Sequence, residues 1–180
     1  MTDKRRRYLT AFVLLALYLS LIETLIPKPF PWMKLGLANI ATIIALEKFD
    51  EKMAIEILLL RIFIQGMMLG TLFSPSFIIS LISGGASTLL TILLFRYREN
   101  LSLIAICIAG AFVHNLTQLI VVYFLLFRSI SIMSKSIFIF IWGFLFMGCV
   151  SGLITGYICE KLQLRRERVL KWENILEQME

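Results

Sequence analysis

Six apolar stretches, each bounded by a few polar or proline residues, take up most of this chain: 9–26, 33–46, 53–72, 77–95, 101–127 and 137–159. A helix needs about 20 largely apolar residues to cross a hydrocarbon core about 30 Å thick. In lipid every backbone amide must also find its partner inside the segment or its barrel. With 59% of 180 residues hydrophobic, 17% charged and a mean hydropathy of +0.86, the chain exceeds soluble domains, which lie near 45–50% apolar and about a quarter charged. A water-soluble fold of this size cannot bury so much apolar surface. The expected fold is an all-α integral membrane protein: a single membrane domain over 1–180, a bundle of six transmembrane helices with a cytoplasmic amphipathic C-terminal helix at 160–180.

The punctuation has local physical causes. Pro27, Pro29 and Pro31 end the first stretch, because proline lacks an amide proton and holds its predecessor extended. Glu47 to Lys52 is a charged hinge, Ser74-Pro75-Ser76 a tight uncharged turn, Arg96 to Asn100 a polar turn, and Arg128 to Ser136 a serine-rich loop. Lys4-Arg5-Arg6-Arg7 before an apolar run has the form of a signal sequence, but the run to Ile26 is too long and no small-x-small cleavage site follows. The sequence predicts a retained first helix.

Lysine and arginine set the orientation. With both termini on one face, that face collects Lys4, Arg5, Arg6, Arg7, Lys48, Lys52, Arg96, Arg98, Lys161, Arg165, Arg166, Arg168 and Lys171, against Lys28, Lys34, Arg128 and Lys135 opposite. The basic face is expected to be cytoplasmic, in a multi-pass protein of the bacterial cell (inner) membrane. Only an even number of spans makes this bias self-consistent. The second stretch is short and holds Gly36 and Asn39, the pattern of a tilted, broken or re-entrant helix. In the tail, Leu162, Val169, Trp172, Leu176 and Met179 fall near one face, as in a helix lying on the anionic inner leaflet.

Net charge +6 comes from cations at the ends of apolar segments, without the aromatic and basic face that nucleic acid would require. No nucleic-acid partner is expected. Cys107, Cys149 and Cys159 have no CxxC spacing and lie in apolar segments, so they are read as packing residues, and no metal or cofactor is expected. One histidine, two aspartates (Asp3 and Asp50), and no HExxH, GxSxG or GxxxxGK[ST] leave no catalytic constellation. The chain is expected not to be an enzyme.

Small residues recur every four positions at Gly148, Gly152 and Gly156, at Gly66 and Gly70, and at Ala16 and Ser20. Such stripes let helices approach closely, either within the bundle or against a partner membrane protein. Ionisable groups inside a span cost about 2.5 to 3.5 kcal/mol on insertion scales and so call for a partner or a role. The candidates are Glu23, Asn39, Arg61, Gln65, His114, Asn115 and Gln118. At about 1.5 Å per residue, all seven are expected in the outer half of the bundle, lining one pocket for a small-molecule ligand. Asn39, Gln65, Asn115 and Gln118 would donate and accept hydrogen bonds, Arg61 would favour a carboxylate or phosphate, and His114 would add a pH-sensitive contact. Glu23 and Arg61 also suit one another as an ion pair. The connection from Pro27 to Trp32 is a candidate lid.

The run Lys34-Leu35-Gly36-Leu37-Ala38-Asn39-Ile40, Arg61 in the next span, and Ala109-Gly110-Ala111-Phe112-Val113-His114-Asn115-Leu116-Thr117-Gln118 resemble the bacterial Gx transporter family, often labelled heptaprenyl diphosphate synthase component I. The resemblance covers nearly all of the chain except the tail. That family is similar to the S components of energy-coupling-factor (ECF) vitamin transporters, six-helix bundles that bind a small molecule near the outer face. The resemblance implies a substrate-binding subunit that docks on an ECF transmembrane coupling subunit and its ATPases. Docking there is associated with an AxxxA seam on the first helix, for which Ala16 and Ser20 are the nearest match, with Gly148, Gly152 and Gly156 as a substitute. The family label implies the alternative, a non-catalytic membrane accessory component of heptaprenyl diphosphate, isoprenoid or quinone biosynthesis.

Overall fold

The computed structural model describes residues 3–25, 36–126 and 135–177, and for 126, 135–136 and 163–177 the backbone only. The described residues are helical throughout apart from turns. Six helices follow in order: α1 (Asp3–Leu25), α2 (Asn39–Lys48), α3 (Glu51–Met68), α4 (Pro75–Phe95), α5 (Leu103–Leu126) and α6 (Lys135–Glu177). The expected lid at Pro27 to Trp32, and most of the serine-rich loop, lie outside the described residues.

Capping chemistry sets several of the boundaries. Asp50 Oδ1 accepts from the Met53 amide at 2.7 Å, Ser74 Oγ from Phe77 at 3.3 Å and Ser102 Oγ from Ala105 at 3.1 Å. Each satisfies an amide that the first helical turn leaves without a partner. Pro75 sits at the start of α4, where its missing amide proton costs nothing. The third apolar stretch was expected to run to 72, but α3 ends at Met68. Gly70 takes φ +63°, and the amides of Thr71 and Gly70 turn back to Gly66 and Met67 carbonyls at 2.9 and 3.2 Å. This is a glycine-capped Schellman end, and it overrides the apolar continuity of Leu69 and Leu72.

α1, α3, α4, α5 and α6 pack in that order as an open ring, and α2 fills its centre against α1, α3, α4 and α6. Among the described residues α1 and α6 do not pack on one another; α2 stands between them. The second apolar stretch therefore forms the hub of the bundle. Ile40 to Leu46 are buried without a break, as expected for a helix enclosed on all sides. Its ten residues are only about 15 Å long, because the described helix begins at Asn39 rather than 33.

One end of the bundle is marked by charge. Arg5 lies 3.6 Å from Asp50 and 3.4 Å from Glu56, and Arg96 lies 3.4 Å from Glu51. These exposed pairs are worth about 0–1 kcal/mol each, so they indicate alignment more than they hold it. At the same end Phe12 of α1 packs against the cluster of Ile44, Leu103, Cys107 and Cys159. The start of α1 and the end of the apolar part of α6 thus leave the bundle together. Beyond Cys159 the helix continues unbroken to Glu177 instead of restarting as a separate tail helix, and the amphipathic face expected there rests on side chains outside the description.

Burial is inverted relative to a soluble fold. Leu14, Tyr18, Leu59, Phe63, Leu89, Phe124, Trp142 and Leu153 are exposed, while Ser80, Ser83, Ser87, Thr88 and Thr91 of α4 are buried. By length and composition, four helices are apolar enough to cross a membrane: α1, α4, α5 and the Ile137–Leu162 part of α6. The six expected spans are not all of that kind, since α2 is short and α3 carries Glu51, Lys52, Glu56 and Arg61.

The glycine stripe of α6 faces α5. A Cβ on Gly152 would lie 2.7 Å from Ile108 Cα and 2.8 Å from the Cys107 carbonyl oxygen, and one on Gly156 would lie 2.7 Å from Ile104 Cα. Backbone cannot yield as a side chain can. Gly152→Ala is therefore expected to force α5 and α6 apart at a cost of about 1–3 kcal/mol, whereas Gly143→Ala meets nothing within 4 Å and is neutral. Thermal melts in mild detergent check this, and equal melting of the two variants contradicts the packing described.

Candidate functional site

The polar residues singled out in the sequence all point inward, but they do not line one pocket. Six are buried: Glu23, Arg61, Gln65, His114, Asn115 and Gln118. They divide between two sides of the bundle.

On the α1–α3 side, Ser20 Oγ donates to Gln65 Oε1 at 2.8 Å, and Glu23 Oε1 accepts from the Gly36 amide at 3.1 Å. Gly36 has φ +85°, a left-handed conformation that glycine adopts without strain, and it leads the chain into α2. Glu23 thus fixes the entry of the central helix. It also lies close enough to Arg61 to interact electrostatically. The Arg61 Nη2 approaches α4 at Gly84, where a Cβ would stand 3.8 Å away. A buried guanidinium is tolerable only with such a countercharge.

On the α5–α6 side, Asn115 Nδ2 donates to the Phe144 carbonyl at 3.0 Å and presses against Gly148, where an added Cβ would meet it at 2.6 Å. His114 and Gln118 are spaced four apart with Gly110, so they share one face of α5. Gly110 on that face meets α4: Ser87 Oγ donates to its carbonyl at 2.8 Å, and Thr91 Oγ1 lies 2.7 Å from where its Cβ would be.

Between the two sides lies a pocket lined by Gly36, Asn39, Thr42, Ser87, Thr88, Thr91, Ser151 and Thr155, with Ile43, Leu46, Cys107, Gly110, Ala111 and Gly152. A water-sized centre has about 20 Å³ of room there, space for one or two small occupants. Of the seven expected pocket residues only Asn39 lines it. The expectation of a single shared cavity is corrected in this respect: Glu23 reaches the pocket only through Gly36, and Asn115 stands one helical turn from Ala111. The pocket hydroxyls were missed because serine and threonine barely register on a hydropathy scale. Their signal was spacing, since Asn39 and Thr42, Ser87 and Thr91, and Ser151 and Thr155 each repeat at three or four residues.

The docking seams are also corrected. Ala16 and Ser20 are buried against α2 and α3, and Gly148, Gly152 and Gly156 against α5. These contacts within the chain leave neither stripe open to a partner.

If Glu23 compensates Arg61, Glu23→Ala leaves a buried cation without its countercharge and lowers stability by about 3–5 kcal/mol, and adding Arg61→Met recovers most of that loss. Detergent melting curves of the single and double variants test the coupling; a Glu23→Ala protein that melts like the wild type removes it.

A family model described as heptaprenyl diphosphate synthase component I matches residues 12–162 of the chain. No curated protein and no solved structure matches it.

Proposed function

This chain belongs to the heptaprenyl diphosphate synthase component I family, and we propose that it works as a membrane-embedded, non-catalytic subunit that binds a small molecule for uptake and relies on partner proteins for energy. The observation that carries this reading is the inversion of the bundle. Six amide or ionisable side chains are buried inside helices whose outer faces are apolar. Charged and amide groups at membrane depth are costly, and they persist where they face an interior path or ligand.

In this reading the bundle sits in the cell membrane, with the segments at α2 and α3 inserted beside the four more apolar helices. Both termini face the cytoplasm, where lysine and arginine concentrate. His114 and Gln118 contact the ligand in the outer half, Asn115 orients α5 against α6, and the Glu23–Arg61–Gln65 group braces α1 against α3. Coupling to an ECF transmembrane subunit and ATPases would use the exposed apolar faces, since the small-residue stripes are occupied.

The family description supports a second reading, an accessory component of isoprenoid or quinone biosynthesis. In that reading too we infer a non-catalytic role. Prenyl synthases hold Mg²⁺ and diphosphate with clustered aspartates, because hard cations prefer several carboxylate oxygens. The only aspartates here are Asp3 and Asp50, and these stand on different segments.

Purification in mild detergent followed by mass spectrometry separates the two. Coupling and ATPase subunits with a bound small molecule are expected; a co-purifying soluble prenyl synthase subunit instead establishes the accessory role. His114→Ala and Gln118→Ala are expected to lose the co-purifying molecule while eluting as folded, monodisperse protein, and retention by both variants takes these residues out of the site.

A further inference from the structure

We propose that the pocket between α2, α4, α5 and α6 binds a monovalent cation of sodium size. The case rests on which hydrogen-bonding groups remain directed into the pocket. Ser87 Oγ and Thr91 Oγ1 both line it, yet their protons are committed elsewhere. Ser87 donates to the Gly110 carbonyl at 2.8 Å and Thr91 to the Ser87 carbonyl at 2.9 Å. Their oxygens can therefore offer the pocket only lone pairs.

Two further oxygens add to these. Thr42 Oγ1 and Asn39 Oδ1 are buried and have no hydrogen-bond partner among the described residues. Thr42 as a whole is 3% exposed, on a helix enclosed on all sides. A buried polar atom left in this condition is unusual in folded proteins. The lone pairs of Asn39, Thr42, Ser87 and Thr91 within about 20 Å³ of room suit a small electropositive occupant.

Charge decides which cation. No carboxylate lines the pocket, and among the described residues no three of His, Cys, Asp and Glu come together. Mg²⁺ and Ca²⁺ draw on carboxylates, whereas an alkali ion can be held by neutral oxygens that replace its hydration shell. The start of α2 carries a partial positive charge that works against a cation. The ion accordingly sits at the level of Thr42, Ser87 and Thr91, with the Asn39 carboxamide oxygen between it and the helix end. The proposal does not depend on the substrate reading, and its test contains no substrate.

The full chain in detergent is melted in NaCl, sodium gluconate and choline chloride at equal ionic strength. A melting temperature that rises with either sodium salt and saturates, by about 5 °C when the ion is in large excess over its dissociation constant, is expected, with no such rise in choline chloride. Thr42→Val should abolish the sodium dependence and Thr42→Ser retain it. Stabilisation that follows chloride, or identical curves in all three salts, overturns the proposal, as does an undiminished sodium response in a folded Thr42→Val protein. If Thr42→Val does not fold, the three-salt comparison on the wild-type chain decides alone.

Discussion

Everything in this bundle depends on a ten-residue helix that has no free face. α2 touches four of the other five helices, and its buried run from Ile40 to Leu46 includes one hydroxyl, Thr42. In the membrane setting proposed above, helix burial would gain little from hydrophobicity, since lipid tails are as apolar as leucine. The hub must therefore be held by close packing and a few polar ties. Ala41 and Ala45 let α1 and α3 approach through Ala16, Met53 and Ile57, and Glu23 grips the backbone at Gly36 just before the helix begins. Those contacts also decide where Asn39 and Thr42 sit, so the pocket is a consequence of how the hub is anchored.

The ring of outer helices follows a different rule on each side. α5 and α6 pack through glycine against backbone, with Gly152 and Gly156 facing Ile108 and Ile104. α4 and α5 pack through hydroxyls, with Ser87 bonded to the Gly110 carbonyl. Both give a close approach, and the second does so through groups that leave oxygen lone pairs inside the bundle. The pocket lies where these two kinds of seam meet α2. A bundle closed entirely by glycine stripes would be as compact and have nothing polar to offer a ligand.

How much of this was readable beforehand varies with the signal. That each of the six apolar stretches forms a helix was legible, because long apolar runs have few alternative meanings, whereas the continuation of α6 through the expected tail helix was not. The end of α3 was less legible: Leu69 and Leu72 extend the apolar run past a boundary that Gly70 sets through backbone conformation. That the glycine stripe serves α5 rather than a partner protein was not readable, since spacing shows that a face is smooth and not what covers it. Inward placement of Glu23, Arg61, Gln65, His114, Asn115 and Gln118 was legible from cost alone. Their division into two groups was not, because depth along a helix is fixed by residue count while direction around the ring depends on neighbours.

Charged and neutral polar groups also have separate places in this interior, and that separation bears on the family's name. Arg61, the buried cation that would suit a diphosphate, is opposed by Glu23 on the α1–α3 side. The pocket itself is lined by hydroxyls, an amide and small apolar residues, with no lysine or arginine. A diphosphate carries multiple negative charges and binds where cations or divalent metals can neutralise them. For this chain to take a prenyl diphosphate, Arg61 would have to exchange Glu23 for the ligand, leaving the carboxylate buried without its partner. That exchange is costly on the scale of a whole domain's stability. The described interior is therefore better matched to a neutral molecule or a small cation than to the diphosphate named in the family's description.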